Sequence, residues 1–265
     1  MAKRTVTLSM HTLPSEQDVR TLEGRASGMA AAAIDMLRTG ECSPRECLRG
    51  LVRDHSYLAG WGMVLKREDV VVARHFADAA AFAQQWLTAP SASERPGTPP
   101  EWWDGWHVGI YDTMLELLIA FGHETAAREA AAVPEARYRS SPEVFAEEAN
   151  FAVVRAKRAW VLGDDDLARH ESVDAQRNAQ HPMWKNEAQV FVSMLNQDEQ
   201  GLQNAFTELL KGHKREASRH SRYGNFVYSL PALAFARMAR TYGMTVPEMV
   251  YLPVRLLPPE PIRAL

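Results

Sequence analysis

The apolar positions near the start of the chain recur at helical spacing. One stripe comprises Val19, Leu22, Ala26, Met29, Ala33 and Met36. Residues at these intervals lie on one face of an α-helix. Pro14 and Ser15 come before the stripe and Gly40 follows it, as expected for the start and the end of a helix. The pattern therefore predicts an amphipathic helix between Ser15 and Gly40.

Two further helices and a long loop follow. Ser43 and Pro44 predict a helix start, and the two next stripes are Leu48, Leu51, His55 and Leu58, then Val72, Phe76, Ala79, Ala83 and Trp86. Residues 89–101 are rich in proline and predict a surface loop.

Trp102 and Trp103 come directly after this loop. Tryptophan is enriched at interface hot spots, and it also anchors helices in cores, so both roles stay open here.

The helix after the loop is apolar on most of its surface. Its two adjacent faces carry Ile110, Met114, Leu117 and Phe121, and Tyr111, Leu115 and Leu118. A helix that is apolar over so wide an arc lies in the middle of a core. Because it could not stand apart from the helices before the loop, we predict a single helical domain over residues 1–265.

The second half contains a weak repeat of helix pairs, over about 142–218. Ala156 and Trp160 lie on a helix stripe that ends at Gly163, and Val190 and Met194 repeat the pattern 34 residues later. Each stripe leads through a short turn with acidic residues into another helix, which is typical of an α-solenoid. We therefore predict an all-α fold of stacked antiparallel helix pairs, similar to tetratricopeptide repeats.

The C-terminal region, 225–265, combines a last helix with an apolar tail. Pro247, Pro253 and Pro258 punctuate the end of the chain, and a segment with such prolines does not continue as a helix. It is too hydrophobic to be free in solvent. We therefore expect an extended tail that lies along the helical body.

Charge and composition narrow the classes of function. The net charge is −3 and the pI about 6.3, whereas nucleic-acid binders need a surplus of Lys and Arg. We therefore expect no direct nucleic-acid binding. The apolar stretches are far shorter than the roughly 20 residues that span a bilayer, and the N-terminus lacks a signal-peptide pattern. These features predict a cytoplasmic protein that makes no membrane contact. The two cysteines, Cys42 and Cys47, are expected to be free thiols.

Motifs that carry chemistry are absent from the sequence. Asp164, Asp165 and Asp166 are consecutive, so we interpret them as helix-capping residues rather than as metal ligands. The nine histidines include no pair one turn apart with an intervening Glu, as helical zinc sites have. The basic run at 211–222 lacks interleaved aromatics and is interpreted as a solvated helix end. We predict no metal, no cofactor and no catalytic residue.

The C-terminal region provides the one family resemblance. An Ala/Leu-rich helix at 233–240 runs into Tyr-Gly-Met-Thr-Val at 242–246, followed by Tyr-Leu-Pro at 251–253 and by Leu256 and Leu257. On these residues the chain resembles the immunity protein 49 family of bacterial polymorphic toxin systems. The helical pairs in the middle of the chain agree in character.

The resemblance implies a non-catalytic antidote that binds and neutralises a cognate toxin protein encoded next to it. Toxins that act on nucleic acids or nucleotides tend to have basic clefts, so an acidic face would suit. Glu143, Glu147 and Glu148 are the candidates, although first-turn acids are also common on ordinary helices. Trp102 and Trp103 are the second candidate contact. A helical-repeat adaptor unrelated to toxins and a helical enzyme with a site not visible in the sequence stay open as alternatives.

Overall fold

The prediction of an all-α fold built from stacked helix pairs is confirmed. The computed structural model describes residues 9–89, 107–139, 147–219 and 224–263. Within these ranges the regular structure is eleven α-helices with short 3₁₀ turns and one isolated β-bridge, Met249 to Leu252. The helices are α1 (Glu16–Thr39), α2 (Pro44–Val64), α3 (Asp69–Thr88), α4 (Val108–Phe121), α5 (Glu124–Ala131), α6 (Glu135–Arg139), α7 (Glu148–Leu162), α8 (Asp165–Asn178), α9 (Pro182–Leu195), α10 (Glu199–Arg219) and α11 (Leu230–Thr241).

Three of the predicted contact residues lie outside the described residues: Trp102, Trp103 and Glu143. The predicted loop at 89–101 does too, apart from Ala89, which follows the last residue of α3.

Capping residues define several helix boundaries. The Ser15 hydroxyl accepts a hydrogen bond from the backbone N–H of Asp18, and Gly40 ends α1 with a φ of 73°. Gly163 ends α7 in the same left-handed conformation, with a φ of 95°, which glycine adopts without strain. The Asp164 carboxylate then accepts from the N–H of Leu167, 2.9 Å away. The predicted start and end of α1, and the capping role of Asp164, are therefore confirmed.

Consecutive helices pack side by side along most of the chain. α1 packs on α2 and α2 on α3, and α7 to α10 each pack on the next. Short turns between such neighbours make them antiparallel. α4 is buried over nearly its whole surface, as its wide apolar arc predicts. The main partner of α11 is α4 rather than its sequence neighbour α10, so the last helix covers the middle of the chain.

Two arginine side chains of α11 bind neighbouring segments, one the end of α4 and the other the tail. Nη1 of Arg237 donates to the carbonyl oxygens of Ile119, Ala120 and Gly122, at 3.2, 3.2 and 2.7 Å. These carbonyls lie at the C-terminal end of α4, where a helix lacks internal partners for them. Arg240 donates to the carbonyl oxygen of Val254 at 3.0 Å. The apolar tail therefore lies along the body, as predicted.

The expectation of two free thiols is wrong. Cys42 and Cys47 form a disulfide, with Cα atoms 6.6 Å apart. We expected residues five apart near a helix start to diverge. However, α2 begins only at Pro44, so Cys42 belongs to the preceding turn and does not follow the helical spacing.

None of the described helices is both long enough and apolar enough to cross a bilayer.

A backbone-to-backbone contact joins α2 to the 3₁₀ turn Gly224–Val227 and requires glycine. A Cβ on Gly60 would overlap the carbonyl oxygen of Gly224, and a Cβ on Gly224 would come within 2.5 Å of the Tyr57 carbonyl oxygen. Gly50 lies on the same helix, and no atom lies within 4 Å of the position that its Cβ would take.

We expect Gly60→Ala to lower the free energy of unfolding by about 1–3 kcal/mol, because the backbones must separate to admit the methyl group. Gly50→Ala is the matched control and should be neutral or stabilising by up to about 1 kcal/mol, since alanine favours the helix. Urea unfolding of both variants measures the difference. Equal effects would rule out the close contact.

Candidate functional site

A buried lysine surrounded by three carboxylates lies at the centre of the helical body. The ammonium Nζ of Lys157, on α7, lies 2.9 and 3.1 Å from the two carboxylate oxygens of Asp112. Glu116 Oε1 is 2.5 Å away and Glu187 Oε2 is 2.9 Å away. The lysine side chain is 0% exposed, and the carboxylate side chains are at most 7% exposed. We call these four residues the Lys157 cluster.

Helical spacing brings the Lys157 cluster together. Asp112 and Glu116 are one turn apart on α4, so they share one face, while Lys157 and Glu187 come from α7 and α9. Periodicity alone missed the cluster, because charged residues are normally assigned to the surface. One signal could have found it. α4 is too apolar to have a solvent face, so two acids on it need an internal partner.

Burial and charge determine the protonation of the Lys157 cluster. Burial disfavours the ammonium, but the carboxylates of Asp112, Glu116 and Glu187 outweigh it and raise the pKa of Lys157 well above its usual value. Burial raises the pKa of Glu116 well above 4.5, against the attraction of Lys157. It also raises the pKa of Glu187. One ammonium cannot neutralise three buried carboxylates, so the negative charge of Asp112 adds to burial in raising the pKa of both glutamates.

The chemistry open to the Lys157 cluster is limited by its burial. The three carboxylates have oxygens close enough together to share a cation, and the Lys157 ammonium contacts all three. Because these side chains are shielded from solvent, a substrate has no access to them. The arrangement joins α4, α7 and α9, and Phe235 on α11 places its ring 5.6 Å from Nζ. The cluster therefore organises the fold rather than a reaction.

A second group of ionisable side chains lies between α2 and α3. Ligand atoms of His55, His75 and Asp78 lie within 4.8 Å of one another. Unlike the Lys157 cluster, these residues are only half-buried. They are the described residues best suited to hold a metal.

An open apolar groove runs between α3 and the tail. Its volume is about 400 Å³, and its lining comprises Val70, Ala73 and Ala77 from α3, Phe121 from α4 and residues 256–259 from the tail. Val70 is 69% exposed, the largest value among the exposed large hydrophobic residues described. Arg255 borders the groove and pairs with Asp69 at 3.1 Å and with Glu248. The groove thus offers an apolar surface beside balanced charges.

Two of the three predicted acidic contacts, Glu147 and Glu148, already have partners within the chain. Glu147 Oε2 accepts from the backbone N–H groups of Gln180 and His181, at 3.0 and 3.2 Å. Glu148 binds Arg139 and Arg155, with contacts of 3.0 and 2.9 Å. Hydrogen bonds from Arg139 lower the pKa of Glu148. The side chain of Glu148 is still 58% exposed, so a partner would meet a patch of mixed charge. Both residues stay predicted contacts.

The basic run at 211–222 is only partly solvated. Lys211 pairs with Glu208 and Arg219 with Glu216 on the same helix, and residues 220–222 lie outside the described ranges. His213 points inward, and its Nε2 lies 3.1 Å from the carbonyl oxygen of Phe226. Burial lowers the pKa of His213 to about 4, so it carries no charge at neutral pH.

Comparison with known proteins identifies no relative. No family model matches the chain, and neither does any curated protein or solved structure.

Removal of the buried ammonium tests the Lys157 cluster. We expect Lys157→Met to lower the free energy of unfolding by about 3–5 kcal/mol, because it leaves buried carboxylates without a counter-charge. Lys185→Met, an exposed lysine on α9, is the control and should stay within about 0.5 kcal/mol. Adding Asp112→Asn, Glu116→Gln and Glu187→Gln to Lys157→Met should restore stability. Failure of this rescue would contradict the electrostatic explanation.

The raised pKa of Glu116 predicts a pH dependence of stability. Because its folded pKa lies above the unfolded value of 4.5, the folded state binds the proton more tightly. The stabilisation is fully present below pH 4.5 and is lost as the pH rises through the folded pKa. Glu116→Gln mimics the protonated form, so its stability relative to wild type should increase as the pH rises. Urea midpoints between about pH 4 and 8 measure this, and parallel curves would refute it.

Proposed function

We propose that this chain is an immunity protein that binds a cognate toxin in the cytoplasm and neutralises it by protein–protein contact, without catalysis. One observation carries the proposal. The segment that resembles the immunity protein 49 family also builds one wall of the exposed apolar groove, through Leu256 and Leu257. The partner would be the product of the neighbouring gene.

The rest of the resembling segment has a structural role. The hydroxyl of Tyr242 accepts from Trp160 Nε1 at 2.8 Å and donates to Asp165 at 2.8 Å. Tyr251 and Leu252 are buried. The resemblance therefore falls on residues that shape the closure of the helical body. A family with this closure would present the same groove.

The groove suits an anchor of the toxin rather than the whole interface. Stable interfaces bury about 800 Å² on each partner, and a few apolar or aromatic anchors supply most of the free energy. Val70 and the tail would receive such a side chain. Asp69 and Arg255 at the edge would set its orientation through charge. The patch around Glu147 and Glu148 is the alternative contact surface.

The experiment pairs two neighbouring valines. We expect Val70→Arg to weaken toxin binding by at least about thirtyfold, the effect of losing a hot spot of about 2 kcal/mol. Val71→Arg is the matched control, because Val71 is also exposed but does not line the groove. It should bind as wild type does. Affinity is measured with the purified neighbouring product, and protection by the growth of cells that express it.

Each outcome distinguishes a hypothesis. If Glu147→Ala and Glu148→Ala lose binding while Val70→Arg binds normally, the toxin contacts the acidic patch rather than the groove. Binding without protection would favour an adaptor. Absence of both binding and protection would refute the proposal that this chain is an antidote. Affinity is determined with and without reductant, because a reducing cytoplasm would open the disulfide between Cys42 and Cys47.

A further inference from the structure

Two histidines and an aspartate converge between α2 and α3. Nδ1 of His55 lies 3.5 Å from Nδ1 of His75 and 3.5 Å from Oδ2 of Asp78. One ligand atom from each residue falls within 4.8 Å of the others. His75 and Asp78 are three residues apart, on one face of α3, and His55 faces them from α2.

Hydrogen bonding accounts poorly for this arrangement. Both contacts of the His55 Nδ1 atom lie at the upper limit of hydrogen-bond length. If His55 Nδ1 carries the ring proton, it can donate to Asp78 and to His75 only as a shared donor, and if it is unprotonated it cannot donate to Asp78. At these lengths hydrogen bonds hold the three side chains together only weakly.

A metal ion accounts for the distances. Zinc binds histidine nitrogen at about 2.0–2.1 Å with tetrahedral geometry, which separates two ligand atoms by about 3.3 Å. The two separations from His55 Nδ1, at 3.5 Å each, are close to this value, and the ligand atoms of His75 and Asp78 lie within 4.8 Å of each other. Two imidazoles and one carboxylate are also a common set of protein ligands for zinc with an open fourth position.

Asp78 supplies the negative charge at this position. Asp54 and Glu23 are also near, but they pair with Arg53 and Arg67, at 2.9 Å each, and Arg74 adds positive charge. Among the described residues, Asp78 forms no salt bridge with Lys or Arg. Its carboxylate is thus available to a metal.

Helix packing holds the ligands in place and leaves the ion a route of entry. The ring of Phe82 packs against His55, with centroids 5.3 Å apart. The side chain of His55 is 13% exposed and that of Asp78 is 41% exposed. An ion can therefore reach the ligands, and a water molecule can complete its coordination.

We propose that His55, His75 and Asp78 bind one zinc ion that joins α2 to α3. No metal site is predicted from the sequence, because His55 and His75 are 20 residues apart on different helices. The signal is the pair His75 and Asp78, at i and i+3, opposite a histidine on an otherwise apolar stripe. This site is independent of the proposed toxin binding, and it is tested on the purified chain alone.

The test is titration of EDTA-treated, dialysed protein with zinc chloride. We expect binding of one ion per chain by calorimetry and an increase in Tm, because zinc stabilises the state that binds it. Asp78→Asn keeps the shape of a half-exposed side chain and should fold normally. It should weaken zinc binding by at least about tenfold, as even the loss of an outer-shell partner does at metal sites. His75→Gln should do the same.

His170→Gln, an exposed histidine on α8, is the matched control and should bind as wild type does. Co²⁺ in place of zinc should give the visible absorption of a tetrahedral site in the wild type and lose it in Asp78→Asn. Absence of zinc binding would overturn the proposal. So would binding that is unchanged in Asp78→Asn and His75→Gln, or binding that is lost only when Cys42 and Cys47 are replaced by serine.

Discussion

The charge balance around Lys157 constrains the helices that surround it. Its ammonium contacts carboxylates from α4 and α9 and belongs to α7 itself. A buried charge that loses its partner costs free energy, so these helices resist displacement. Helices that meet only through apolar side chains tolerate a small displacement. The arrangement in which the Lys157 ammonium contacts all three carboxylates is therefore favoured over shifted ones. Fixing α4 in this way also determines the surface on which α11 packs.

Arg237 extends the same logic from the centre to the end of α4. A helix leaves its last carbonyl oxygens without internal partners, and here the guanidinium of Arg237 binds three of them. Burial lowers its pKa to about 10, so it stays charged at neutral pH. Lys157 pairs with the two buried acids of α4, and Arg237 binds the carbonyl oxygens at the end of that helix. Arg240 binds the tail, and Leu252 of the tail is buried. The tail thereby completes the helical body around α4.

Local signals in the sequence predicted more than distant ones. Gly40 and Asp164 act within one turn of their own helix, so their roles could be inferred from neighbouring residues alone. Lys157 and His55 find their partners on other helices, and a single sequence does not show which faces meet. The prediction that Cys42 is a free thiol was wrong for a different reason, because helical spacing does not hold for a residue in a turn. The prolines and apolar residues of the tail indicated that it lies along the body, but not that Leu256 and Leu257 line a groove.

Closure by the C-terminal segment has a consequence for the order of folding. Helix pairs such as α1 with α2 and α7 with α8 involve nearby residues and can form while the chain is being synthesised. The contact of α11 with α4, and that of the Tyr251 hydroxyl with the backbone of His11, join residues up to 240 positions apart. An apolar face of α4 therefore stays uncovered until α11 has left the ribosome. Nascent chains that stall before this point would expose that face to aggregation.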